Sequence, residues 1–335
     1  MLVLGLEVAM RRREFIKAIA GSAVTWPLEA QAQQRVPVVG LLSVASPSGY
    51  AKRLAAVRQG LREEGFIEGQ NLTIEYRFAE NHIDRLQDLA VDLAHRHVDV
   101  IVVAGGTNTA LAAKAASSTI PIVFSVGGDP VKAGLVASLN RPAGNMTGLA
   151  QVSELLITKR LELANDLASR TMAIGALLNP TNANVQLRVS DLQAAASALG
   201  RKLHFLYAAS EQQFDEVFRS VVEERIGALV VMDDPMFENN AEQLVGLANR
   251  HALPTIYQYR EFVEVGGLMS YGPHIADEYR QVGLYVGRIL KGEKPANLPV
   301  LRPTKFELII NLKTAKVIGV DIPPQLFARA DELIE

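Results

Sequence analysis

Short apolar runs alternate with amphipathic helical patterns along this chain, and the alternation occurs twice. Val36 to Ser43 (VPVVGLLS) has the length and β-branched content of a buried strand. Arg53 to Glu64 carries Leu54, Val57 and Leu61 at helical spacing, and Gly65 stops it. Strands follow at Leu72 to Phe78, Asp99 to Ala104 and Ile120 to Val126, with helices at Ile83 to His97 and Thr107 to Ser117 between them. The order then recurs, with strands at Ala173 to Leu178, Lys202 to Ala208, Ala228 to Met232 and Leu253 to Gln258. The helices between those are Val185 to Leu199, Phe214 to Glu224 and Glu242 to His251. The offset is about 130 residues, Asp99 lining up with Ala228, and the Gly, Asn and Pro breakers fall in step. Repeating β-α units imply parallel sheets with helices on both faces. One long doubly wound sheet would satisfy the alternation; two similar α/β lobes also satisfy the repeat.

In such sheets a ligand sits beyond the carboxyl ends of the strands. Here those ends carry small and polar residues: Ser43 and Ser46, Gly106 and Thr107, Gly128 and Asp129, Asn179 and Asn184, and Asp233. Several precede helices, whose unpaired N–H groups and dipole suit a carboxylate or another anion, while the aspartates suit an ammonium. A Gly-Gly after a strand is also an ordinary turn, and Asn179-Pro180 is also a helix cap. The set carries weight because it recurs at equivalent ends in both halves. Tyr257 and Tyr271 lie near the last repeat strand, where tyrosines line ligand sites or simply pack between lobes.

The chain has 335 residues, room for two domains. Residues 1–32 read as a signal segment: Arg11, Arg12 and Arg13 precede an apolar run from Phe15 to Trp26, then the small-x-small site Ala30-Gln31-Ala32. Arg12 to Lys17 resembles a twin-arginine export motif. The layout begins at Met10, which leaves Met1 to Ala9 as an upstream extension and the start open between Met1 and Met10. A periplasmic location with cleavage near Ala32 follows as an expectation. Residues 33–147 plus about 275–310 are expected to form lobe 1 and residues 148–274 lobe 2, with 311–335 open to either.

Several long stretches, in order, resemble the bacterial ABC transporter substrate-binding protein family that includes the TrpX-like proteins. They are GLLSVASPSGY, VDVIVVAGGTNTALAAK, IPIVFSVGGDPVKAGLVASLNRPAGNMTG, LLNPTNAN and FARADELIE. The resemblance implies the type I periplasmic-binding-protein fold: two Rossmann-like lobes joined by a multi-strand hinge. It implies closure on a small-molecule solute and delivery to an ABC permease in the inner membrane. Some relatives are associated with aromatic amino acids, so an amino acid or small carboxylate is the expected solute class. By analogy with the sugar-binding branch of the fold, the helix Ile275 to Leu290, before Lys291-Gly292-Glu293-Lys294, returns to the first lobe.

Other function classes fare less well. The formal net charge of −2 gives no basic excess for a phosphate backbone, so nucleic acid is not an expected partner. With no cysteine, thiol catalysis and Cys-ligated zinc are excluded. No nucleophile elbow, P-loop or His-Glu-x-x-His is present, and the six histidines are scattered, so neither an enzyme nor a cofactor is expected. A sensor feeding a receptor or kinase shares the fold and is the competing reading. A monomer suits hinge closure.

Overall fold

The computed structural model describes residues 35–335 apart from 152 and 170; the signal-like segment lies outside them. Two sheets carry the fold. The first contains β1 (Val38–Ser43), β2 (Thr73–Phe78), β3 (Val100–Ala104), β4 (Ile122–Val126) and β5 (Met146–Ala150), all parallel, in the order β2-β1-β3-β4-β5. The second contains β6 (Ala173–Leu178), β7 (Leu203–Tyr207), β8 (Ile226–Val231), β9 (Thr255–Tyr257) and β10 (Met269–Pro273), in the matching order β7-β6-β8-β9-β10. It is extended by β11 (Phe306–Asn311), antiparallel to β10, and by β12 (Glu332–Ile334). The repeat seen in the sequence is therefore a repeat of topology, one lobe per sheet.

The central strands are buried on both faces, which is why they read as unbroken Val, Ile and Leu runs. Helices cover them. Lobe 1 has α1 (Ala51–Glu63), α2 (Leu86–His95) and α3 (Gly106–Ala116). Lobe 2 has α4 (Ser153–Leu167), α5 (Val185–Ala198), α6 (Phe214–Glu223), α7 (Pro235–Asn239), α8 (Ala241–Arg250) and α9 (Arg260–Glu264). α10 (Ile275–Leu290) follows β10 but packs on α1, β3 and β4 of lobe 1. The α1–α10 crossing is close: a Cβ on Gly60 or Gly283 would run into the backbone of the facing helix. α11 (Leu312–Ile318) and α12 (Pro324–Phe327) complete lobe 2.

The chain crosses between sheets three times: after β5, after β10 and before β11. The first and third crossings are stitched together, Leu301 donating to the Gly148 carbonyl at 2.9 Å and Ala150 donating to the Leu301 carbonyl at 2.9 Å. β5 and β10 are strands although MTGLA and MSYGP lack the β-branched run that marks the others. Two boundaries differ from the sequence expectation. Residues 148–150, expected in lobe 2, complete β5 beside β4 in the first sheet. Residues 306–310, expected in lobe 1, pair with β10 in lobe 2, where Ile309 and Ile310 enter the core.

Candidate ligand-binding cleft

In the order β2-β1-β3, successive connections leave β1 in opposite directions, which opens a crevice beyond the carboxyl ends of β1 and β3. The same happens at β6 and β8 in lobe 2. The two crevices face each other, and together they make the cleft.

From lobe 1, the turn after β3 leads through Gly105 into α3, placing Gly106 and Thr107 in the cleft. From lobe 2, the turn after β8 supplies Asp233 and Asp234, and the turn after β6 supplies Asn179, Asn182 and Asn184. Asp234 caps α7 by accepting from the Met236 N–H at 2.9 Å. It also accepts from Asn179 Nδ2 at 3.0 Å and Asn182 Nδ2 at 2.7 Å. Burial pushes its carboxyl pKa up while these three donors hold it down. Asp233 pairs with Arg188, which donates to both its carboxylate and its carbonyl; Arg188 and Asp233 are both buried. Arg188 Nε has no partner. Arg160, also buried, donates from Nε to the Tyr271 carbonyl at 2.8 Å.

The lobes are closed on each other. Asn184 Nδ2 donates to Thr107 Oγ1 at 2.8 Å. Asn108 donates to the Thr181 carbonyl at 3.1 Å and accepts from the Ala183 N–H at 2.9 Å. Arg53 of α1 meets Glu238 of α7 at 2.6 Å, and Lys52 meets Glu264 at 2.7 Å. A side chain at Gly128 would have its Cβ 2.6 Å from Asn184, so the glycine admits the opposing lobe. At the crossings between the sheets, Tyr259 of lobe 2 donates to Gln151 Oε1 at 3.0 Å, and Gln151 Nε2 donates to Glu278 of α10 at 2.9 Å. Burial raises the Glu278 pKa to about 7, against the Gln151 bond and the Arg53 charge.

Closure divides the cleft. A centre of about 40 Å³ lies among Thr107, Ser125, Gln151, Asn184, Arg188 and Asp233. One flank opens into a chamber of about 370 Å³ that shares Gly105, Gly106, Thr107 and Asp234 with the centre. The other flank, about 470 Å³, lies beyond the Arg53–Glu238 pair.

Of the residues singled out from the sequence, Gly106, Thr107, Asn179, Asn184 and Asp233 line these spaces, and Gly128 abuts Asn184. The others do local work. Ser43 accepts from the Ala45 N–H and Ser46 from the Gly49 N–H, each holding a turn. Asp129 accepts from the N–H groups of Val131 and Lys132. Tyr257 is 1% exposed and stacks on Phe262, with ring centroids 4.6 Å apart. Tyr271 lies against Phe306. Arg53, Arg188, Glu238, Gln151 and Tyr279 were not anticipated. Each sits on a helix or crossover where a single polar residue reads as solvated surface; the one clue was Arg188, one helical turn after Asn184. Among the described residues no cluster of three or more His, Asp or Glu side chains is placed to hold a metal ion.

Two matching doubly wound lobes, closed over polar strand ends, define a periplasmic-binding-protein fold. The chain belongs to the ABC transporter substrate-binding protein family, whose model matches residues 38–334. It is similar to a tyrosine-binding protein of Clostridioides difficile (strain R20291), 27% identical over 286 residues, 84% of this chain and 81% of the relative. Among solved structures it resembles a conserved domain protein of Vibrio cholerae O1 biovar El Tor, with 27% identity, TM-score 0.82, and 89% and 100% of the two chains covered. It shares its fold with an ABC domain of Streptococcus pneumoniae in complex with L-Trp, with 24% identity, TM-score 0.78, and 88% and 100% covered.

Proposed function

We propose that this protein is the extracytoplasmic solute-binding component of an ABC importer, capturing a small amino-acid-class solute by hinge closure and presenting it to a membrane permease. The observation that carries this reading is the closed cleft. Functional groups from equivalent strand ends of two lobes meet there, and the bonds that join the lobes are few and polar. Such contacts exchange readily with water, so an open form is accessible, and a solute that touches both lobes shifts the population toward closure. The relative named for tyrosine supports the amino-acid class. Binding needs no covalent step: the cleft offers donors, acceptors and charges of both signs, but no nucleophile paired with a base.

The test is a thermal-shift screen of the chain from Gln33 onward against the common amino acids and small carboxylates, followed by small-angle scattering. A ligand at 100 times its Kd stabilises by about 2.7 kcal/mol, a readily measured rise in Tm, and closure lowers the radius of gyration. A chain that neither shifts nor compacts with any of them would sink the reading.

A further inference from the structure

The chamber beside the cleft centre has an unusual lining. It is walled by both lobes and reached across Gly105, Gly106 and Thr107. Three carboxylates line it: Glu80 from lobe 1, and Glu211 and Asp234 from lobe 2. No lysine or arginine does, and its one ring is the imidazole of His82. Glu80 and Glu211 stand on corresponding loops, after β2 and after β7, so the repeat places one acid on each wall. Both are exposed. Glu80 has one weak contact, to Arg85 at 3.9 Å, and Glu211 only a long bond from Gln212 at 3.4 Å. Asp234, by contrast, already accepts three hydrogen bonds.

The centre is mixed in charge: Arg53 and Arg188 stand there with Asp233, Asp234 and Glu238, and Tyr259 and Tyr279 line it too. Arg188 is 4% exposed, lines the centre, and holds an Nε–H without an acceptor. A buried guanidinium N–H left unpaired is costly and points to an acceptor supplied from outside. The first turn of α3 adds N–H groups on the facing wall. A carboxylate is the group that both would take. The cleft therefore offers an unpaired guanidinium N–H in its centre, beside an acid-lined chamber that has no tyrosine, tryptophan or phenylalanine to stack on an aromatic ring.

Resting on the solute-binding reading above, we propose that the solute is a basic amino acid: its carboxylate lies at Arg188 and the first turn of α3, and its cationic aliphatic side chain extends into the chamber between Glu80 and Glu211. An aromatic side chain would find no tyrosine, tryptophan or phenylalanine to pack on there, and an acidic one would meet three carboxylates and no lysine or arginine.

Isothermal titration with L-lysine, L-arginine, L-ornithine, L-norleucine, L-tyrosine, L-tryptophan and L-glutamate tests this. The cationic three are expected to bind more tightly than the rest. In the double variant Glu80→Gln/Glu211→Gln, the lysine-to-norleucine affinity ratio is expected to fall about tenfold, the scale of two exposed charge pairs. Both positions are exposed, so the fold tolerates the change. Binding of tyrosine or tryptophan in preference to lysine would overturn the inference and leave the solute-binding reading standing. An unchanged ratio in the double variant would overturn the placement of the side chain. Binding of no amino acid at all would overturn both readings.

Discussion

Arg53 and Glu238 form an ion pair across the cleft, 2.6 Å apart, with side chains only 12% and 13% exposed. The guanidinium carbon lies 5.8–6.0 Å from the ring centroids of Tyr50, Tyr259 and Tyr279. Burial disfavours the charge on Arg53, but Glu238, Tyr279, Tyr259 and Glu261 together outweigh it and raise the guanidinium pKa. Removing one partner of such a pair strands the other, at a cost of about 3 kcal/mol. Hydration of Arg53 by opening of the lobes relieves that cost. Glu238→Gln is therefore expected to enlarge the radius of gyration of the solute-free protein and to lower its Tm. An unchanged scattering profile would show that the pair does not hold the lobes together.

Asn108 reaches across the cleft with both ends of its amide, to the Thr181 carbonyl and the Ala183 N–H. Asn108→Ala removes both bonds in the closed form and costs little in the open one, where water replaces them. Two neutral bonds at about 1 kcal/mol each imply solute affinity weakened roughly 10- to 30-fold, mostly through faster release. Stopped-flow dissociation rates on the variant would check this, and a change confined to the on-rate would contradict it.

Glu278 gives the hinge a pH dependence. Its pKa is 4.5 ordinarily and about 7 in the folded protein, so the folded state holds the proton more tightly. Stability contributed by the protonated acid is full below about 4.5 and is lost as pH rises through about 7. Glu278→Gln keeps an acceptor for Gln151 and removes the titration. The variant is expected to match the parent in denaturant midpoint near pH 5 and to exceed it near pH 8, by at most about 3 kcal/mol. A constant difference across that range would locate the titrating group elsewhere. Asp233 and Glu238 raise this pKa, and Arg53 lowers it, so all three belong in the control set.

Gly60 and Gly283 set the distance between α1 and α10. At Gly60 an added Cβ would strike the Arg280 carbonyl, and at Gly283 the Val57 carbonyl. Neither obstacle is a side-chain end that can swing away. Either glycine replaced by alanine forces the helices apart and strips packing from Val57, Leu61, Val282 and Val286, a loss of about 1–3 kcal/mol from overpacking alone. Urea unfolding at constant m-value is the measurement. A destabilisation no larger than that of a Gly246→Ala control, where an added Cβ meets no other atom within 4 Å, would show that the helices adjust freely.

The lobes were legible because a parallel strand buried on both faces has no polar alternation to confuse it. Val100 to Ala104 and Ile122 to Val126 announce themselves. β10 did not: its Gly272 and Pro273 read as turn residues, and it is a strand by pairing with β9 and with β11, the latter more than 30 residues on. The residues singled out from the sequence that line the cleft are those at strand ends, since topology alone puts Gly106, Thr107, Asn184 and Asp233 there. Tyr257 failed for a local reason. Its backbone ends β9, but its ring turns inward onto Phe262, and no feature of the sequence reports that direction. Arg53 and Glu238, 185 positions apart, were invisible as a pair because each alone looks like a solvated helix charge.

The return of α10 to lobe 1 also orders the making of the molecule. A chain emerging from its N-terminus completes the five strands of the first sheet well before residue 275 exists. Until α10 arrives, the apolar face of α1, with Val57 and Leu61, has no cover. Lobe 1 thus cannot finish folding until most of lobe 2 has been synthesised. A contact so distant in sequence is slow to close, which lengthens the interval in which the nascent protein is vulnerable to aggregation.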